Sequence, residues 1–268
     1  NMDKNILSLN SQYDEFTLRL DKAKRLLNAE KIAEAKTILL GIISKSLYHI
    51  EANDLLSRIY EFEENYDMAA KALERLLYSV DSLSLRYKLA QVYQDSDDYY
   101  NAYRVLKGLC EEVDGDKNLY EQMAHTCAIL DKTDEAIEYY DRVLKIDKDN
   151  LPALSELADI YYDTDKINYY FLKSRICVLE NNNSYAIDAL RSVLKLLDDD
   201  IQKSEVHHKI ARLYHKMGRY GQSYDEYLKV IEFNPSNEEA KEEMERVFEE
   251  EVSENGSFFD RVLRMLFN

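Results

Sequence analysis

A spacing of 34 residues constrains this chain more than any other feature. A small residue recurs as Ala23 in KAKRLL, Ser57 in LLSRIY, Ala90 in KLAQVY, Ala124 in QMAHTC, Ala158 in ELADIY and Ala211 in KIARLY, at steps of 34, 33, 34, 34 and 53. Three residues after each comes Leu26, Tyr60, Tyr93, Cys127, Tyr161 or Tyr214. Twelve residues after each comes Ala35, Ala69, Ala102, Ala136, Tyr170 or Ser223, and four further on Leu39, Leu73, Leu106, Tyr140, Ser174 or Tyr227. Offsets of three and four are neighbours on one helix face. Each unit is therefore predicted to hold two helices, A and B. The small residues let the two approach closely, and the large ones fill the gap to the next unit. One pair cannot bury both of its faces, so the units must stack. Only 6 Gly and 2 Pro interrupt the chain, and 46% apolar residues supply a continuous core.

The segment IARLYHKMGRYGQSYDEYLKVIEFNPSN carries Ala211, Tyr214, Gly218, Ser223, Tyr227 and Pro235 in order. This resembles the tetratricopeptide repeat, whose pattern is small, Tyr, Gly, small, aromatic, Pro. MAHTCAILDKTDEAIEYYDRVLKIDKDN matches with Ala124, Ala136 and Tyr140, but has Cys127 for Tyr and Lys148 for Pro. The resemblance runs over residues 16–268. With no Trp, and Gly at one of the turn positions only, the chain is a divergent member. The resemblance implies an all-α fold, a right-handed α-solenoid of stacked helix-turn-helix repeats with about 15 helices. It also implies a non-enzymatic scaffold or adaptor, with a concave groove that takes a peptide or protein segment. Local signals agree with the helix pattern. Pro152 sits just inside a predicted helix start, where its missing N–H costs nothing. Ser236 to Glu239 has capping-box spacing.

The step of 53 breaks the frame. Tyr170 is too large for a close helix contact. A frame starting at Ile167 does better, with Ser174 and Ala186 as its small pair and Cys177, Leu190 and Val193 as its large residues. INYYFLKSRICVLE thus reads as B of one unit or A of the next. Either way an odd helix lies near 167–200, and an odd helix exchanges the two faces of the stack. The expected organisation is an N-terminal segment (1–15), a first array (16–166), an irregular repeat or seam (167–203) and a second array (204–268) with a terminal capping helix. The alternative is a degenerate unit plus a filler helix.

Net charge is −17, which disfavours nucleic acid and anionic lipid as partners. No apolar run reaches the length of a membrane span. The start lacks a secretory pattern and Cys110, Cys127 and Cys177 show no pairing pattern, so a reducing, cytoplasmic setting is expected. Phosphate-loop, dinucleotide, zinc-protease and C-x-x-C motifs are all missing, so no enzyme, metal or cofactor is expected. Cys127 falls on a core position. His125 lies two residues away, on another helix face.

The densest polar constellation is HHKIARLYHKMGR. The family resemblance maps Glu205, His208, Lys209, Arg212, His215 and Lys216 to the groove, with Arg219 beyond them. Basic and protonatable groups at His208, Lys209, Arg212, His215, Lys216 and Arg219 would hold an acidic segment or a terminal carboxylate by charge-assisted hydrogen bonds. The following A helix competes with that reading. It places Glu239, Glu242, Glu243, Glu249 and Glu250 at the same positions, where they would neutralise the row in cis. Elsewhere the groove is mixed, with Glu51, Asp54 and Arg58, then Tyr87, Lys88, Gln91 and Gln94, then Asn118, Glu121, Gln122 and His125. Polar and aromatic groups at regular spacing suit peptide capture.

FFDRVLRMLFN near the end echoes YYDRVLKI at 139–146. It reads as the B helix of a shortened last repeat, with no following unit to cover Phe258, Phe259, Val262, Leu263, Leu266 and Phe267. Those residues are expected to dock on a partner or on a second copy in a homodimer, or else to fold back as a cap. An alternative function, a membrane-peripheral assembly factor anchored by this segment, is opposed by the nine glutamates of 238–254.

Overall fold

The computed structural model of the chain describes residues 2–255, with side chains over 15–252. All regular structure among the described residues is α-helical and falls into two units, Asn1–Ile146 and Asp147–Asn268. The first unit holds α1 (Met2–Asn28), α2 (Ile32–Ile43), α3 (Ile50–Phe62), α4 (Tyr66–Ser79), α5 (Leu83–Asp95), α6 (Tyr99–Glu112), α7 (Lys117–Ile129) and α8 (Thr133–Ile146). The second holds α9 (Leu151–Thr164), α10 (Lys166–Leu179), α11 (Asn183–Leu194), α12 (Asp200–Lys216), α13 (Tyr220–Phe233) and α14 (Glu238–Asn255). Within each unit every helix packs on its chain neighbours, the arrangement of an α-solenoid. The fifteenth helix expected at the C-terminus lies outside the described residues. α1 runs from Met2 to Asn28 without a break.

The close A–B contacts fall where the small residues stand. Ala23 and Ala35, Ser57 and Ala69, Ala90 and Ala102, Ala124 and Ala136, and Ala211 and Ser223 are all fully buried. Ser223 sits close enough for its Oγ to donate to the carbonyl of Ala211 at 2.9 Å. The large residues at the next positions, Leu39, Leu73, Leu106 and Tyr227, are among the largest side chains sealed in these cores. Burying each one contributes roughly 1.5–3 kcal/mol, which short helices need, since alone they are marginal in water.

Six helices, α1, α3, α5, α7, α10 and α12, end in the same turn. The N–H groups of Lys31, Asn65, Asp98 and Lys132 donate to the carbonyls of Leu26, Tyr60, Tyr93 and Cys127 in the first unit. Asn182 and Arg219 donate to Cys177 and Tyr214 in the second. The residue before each donor is left-handed: Glu30, Glu64, Asp97, Asp131 and Asn181 at φ of 60, 56, 58, 56 and 61°, and Gly218 at 68°. This is the Schellman turn, which closes the last carbonyls of a helix. Glycine takes it without strain and other residues at a cost. Here tertiary packing holds five non-glycine residues in it.

The same turn settles the broken frame. α10 ends in a Schellman turn at Asn181, whereas α9 ends at Asp165 with extended backbone, φ −149°. α10 is therefore an A helix with α11 as its partner, and Ser174 and Ala186 are their buried small pair. In this reading α9 is the extra helix, and it too packs on α10. Pro152 lies in the first turn of α9, and Asn150 caps that turn by accepting from the N–H of Ala153 at 2.9 Å. At α14 the expected capping box is not used. Asn237 caps instead, accepting from the N–H of Ala240 at 3.0 Å, while the Ser236 hydroxyl turns to Asn234.

Candidate functional site

Two stretches of A-helix surface carry the groups that sequence assigned to a groove, one in each unit. In the first unit α5 and α7 lie one repeat apart, and their polar faces meet. Asp116 caps α7 by accepting from the N–H of Leu119, and its second oxygen accepts from the Tyr87 hydroxyl at 2.7 Å. Burial, then that bond, pushes the Tyr87 phenol up to about 12. Gln94 donates to Thr126 Oγ1 at 2.9 Å and to the Gln122 carbonyl at 3.4 Å. Gln91 donates to Asp95 at 2.9 Å. Between these groups lies a cavity of about 370 Å³, lined by Gln91, Gln94, Asp95, Tyr99, Glu121, Gln122 and His125. Gln122 Oε1 in this wall is buried without a hydrogen-bond partner.

The remaining groove charges of this unit are satisfied locally. Lys24 pairs with Glu51, Arg58 with Asp54 and Lys88 with Glu61, at 3.0, 3.0 and 2.8 Å. His125 is exposed while Cys127 is sealed in the core. Burial pushes the Cys110 thiol up to about 11 and the Cys127 thiol up to about 12, so neither is a nucleophile at neutral pH. Among the described residues no group of three or more His, Cys, Asp and Glu is placed to hold a metal ion.

On α12 three members of the basic row, His208, Arg212 and His215, are paired with the acids of α14, as the competing reading of the sequence had it. Arg212 Nε donates to both oxygens of Glu243 at 3.0 and 3.2 Å, and its Nη2 donates to Glu243 and to Glu239 at 2.8 and 2.7 Å. His208 donates to Glu243 at 2.6 Å, and His215 to Glu250 at 2.6 Å. The Tyr227 hydroxyl adds a further bond to Glu243 at 2.8 Å. Successive A helices run side by side in one direction, so equivalent positions face each other. The base-rich helix is followed by the acid-rich one. Lys209, Lys216 and Arg219 are exposed and have no ion pair among the described residues.

Sequence reasoning missed a second pair. His207 lies off the groove face and is buried, donating from Nδ1 to Glu226 Oε2 at 2.6 Å and stacking on Phe233. Glu226 also accepts from Lys229 at 2.9 Å. Burial raises the Glu226 carboxyl, and these bonds outweigh it, so the group sits below its usual range. The pair joins α12 to α13 and depends on the register of their packing, which no local pattern reports. Phe258, Phe259, Val262, Leu263, Leu266 and Phe267 lie outside the described residues.

A family model described as anaphase-promoting complex, cyclosome, subunit 3 matches residues 63–143, and a tetratricopeptide repeat model matches residues 204–237. No curated protein matches the chain. Among solved structures, the chain is similar to YrrB, described as a TPR protein with an unusual peptide-binding site. The identity is 17%, over 65% of this chain and 90% of that one, with a TM-score of 0.51. It is also similar to MamA from Desulfovibrio magneticus RS-1, at 14% identity over 64% of this chain and 96% of that one, with a TM-score of 0.50. At such identities the likeness is one of fold.

Proposed function

We propose that this chain, which belongs to the tetratricopeptide-repeat family, is a non-enzymatic scaffold that holds an extended segment of a partner protein between α5 and α7. The protein-interaction role follows from the family. The place is argued from one observation: the cavity there is walled by three side-chain amides, and one amide oxygen, on Gln122, is buried without a partner. An amide both donates and accepts, which suits the alternating N–H and C=O of an extended backbone. A buried acceptor left unmade costs about 1–3 kcal/mol, and an incoming N–H would recover part of that. Asp95 and Glu121 at the rim favour a segment with basic or neutral side chains. YrrB is one protein of this fold class described as using it to bind peptide.

The α12 row is a second reading, in which Lys209, Lys216 and Arg219 draw an acidic segment. Such a segment would compete with Glu243 and Glu239 for Arg212, which weakens this reading relative to the first. The two are separated by peptide display on the full chain. Enriched peptides that lose about tenfold in affinity on Gln94→Ala and Gln122→Leu, and keep it on a Lys209, Lys216, Arg219 triple alanine variant, support the α5–α7 groove. The opposite pattern moves the site to α12. Equal binding to both variants refutes the groove assignments.

A further inference from the structure

Glu251, near the end of α14, is only 9% exposed. Its carboxylate has neither a hydrogen bond nor an ion pair among the described residues. A buried acid left without a partner is costly and asks for an explanation. Glu251 lines a cavity of about 320 Å³ together with Gly218, Arg219, Tyr220, Gly221, Gln222 and Asp225. The cavity thus lies where the α12–α13 turn meets α14. Gly218 is the left-handed residue of that turn, at φ 68°. Arg219 takes the N-cap place of α13, where its side chain makes no capping bond, since a guanidinium has no acceptor to offer. The first N–H groups of a helix find no partner inside it. Those of Gly221 and Gln222 have none among the described residues, and Gly221 puts no Cβ in front of them. Arg219 shares the cavity with Asp225 and Glu251 yet forms an ion pair with neither. The wall therefore has two poles, donors with a cation on one side and two carboxylates on the other.

We infer that this cavity binds a free α-amino acid, its carboxylate on the α13 N–H groups and Arg219, its ammonium on Glu251 and Asp225. Each pole calls for the opposite charge. The first turn of α13 carries the positive end of a 14-residue helix dipole. Arg219 adds a planar fork of donors that matches a carboxylate. An ionised Glu251 only accepts, so it calls for a cation or a strong donor. A simple anion leaves Glu251 unanswered and is repelled by it. A simple amine leaves the helix end and Arg219 unanswered. Gly221 and Asp225 stand four apart on α13, so the poles are separated by about 6 Å of helix rise. The ligand must carry both charges within a few bonds, which an α-amino acid does and the distant ends of a peptide do not. The cavity is at the small end of the roughly 300–1,000 Å³ range of ligand sites, which suits a molecule of this size. The α5–α7 groove lies in the other unit, so the two sites are independent.

Calorimetric titration of the full chain with each of the twenty standard amino acids tests this, followed by the des-amino acid and the amide of the tightest binder. At least one amino acid is expected to bind one to one, and both analogues about tenfold more weakly. Glu251→Gln is expected to weaken binding about thirtyfold, as for a buried charge partner. Arg219→Ala, at an exposed position, is expected to weaken it about threefold. Gln94→Ala, in the other unit, is expected to leave it unchanged. Hydrogen exchange of α13 reports that each variant stays folded, and the analogue comparison needs no variant at all. Failure of all twenty to bind overturns the inference. A des-amino acid that binds as tightly makes this an anion site only, and an amide that binds as tightly makes it an amine site only; either overturns it. Affinity unmoved by both Glu251→Gln and Arg219→Ala overturns the placement.

Discussion

Replacing Glu243 with Gln removes the group on which the end of the second unit is tied together. Its carboxylate accepts from Arg212, His208 and Tyr227 at once, and its side chain is 20% exposed. Burial raises its pKa, but the three donors outweigh burial, and the carboxyl is held down from 4.5 to about 2. At 1.36 kcal/mol per pKa unit that shift corresponds to roughly 3 kcal/mol. Arg212 is 49% exposed, so solvent screens its share, and about 2 kcal/mol is the expected loss at neutral pH. The pKa is depressed on folding, so the stabilisation is fully present above the ordinary carboxylate pKa of 4.5 and is lost as pH falls towards 2. Repeat arrays open by parts, so a single global unfolding free energy is the wrong quantity. The assay is native-state hydrogen exchange on α12 and α14. Glu243→Gln should raise the opening constant of α14 by about 30-fold at pH 7. The gap between wild type and variant should shrink steadily below about pH 4.5. A change under about threefold at pH 7, or a gap that does not narrow in acid, would refute the reasoning.

Other outcomes follow from the same structure. Glu64 is left-handed at φ 56°, so Glu64→Gly should stabilise the first unit by about 0.5–1 kcal/mol in urea melts, whereas Gly218→Ala should cost the second a similar amount. Glu226→Ala leaves His207 buried without its acceptor, and should lower the stability of the α12–α13 pair by about 3 kcal/mol, read from exchange of both helices. With its thiol pushed up to about 12 and its side chain sealed, Cys127 should resist iodoacetamide at pH 8 in the native chain and react in urea, as read by mass spectrometry. Gln122→Leu removes a buried acceptor that has no partner. It should raise the stability of the free first unit by about 1 kcal/mol while weakening any segment held between α5 and α7.

The sequence by itself determined the class of fold and most of its periodic contacts. A close helix contact excludes large side chains at a known offset, and that exclusion is visible as Ala or Ser every 34 residues. It also exposed the irregularity after α9, because Tyr170 cannot take a small residue's place. It left open which helix was extra, since an A and a B helix share one apolar period. Tertiary structure decided that through the turns: only a helix followed by a partner at close range ends in a left-handed residue, and α10 does so while α9 does not. The candidate site divided in the same way. Gln91, Gln94, Gln122 and His125 were expected on a groove face from the family resemblance. Whether the row at His208, Arg212 and His215 stayed open depended on how far α14 lies from α12, which no local pattern encodes. Coulombic pairing falls off over a few ångströms, and only packing sets distances on that scale.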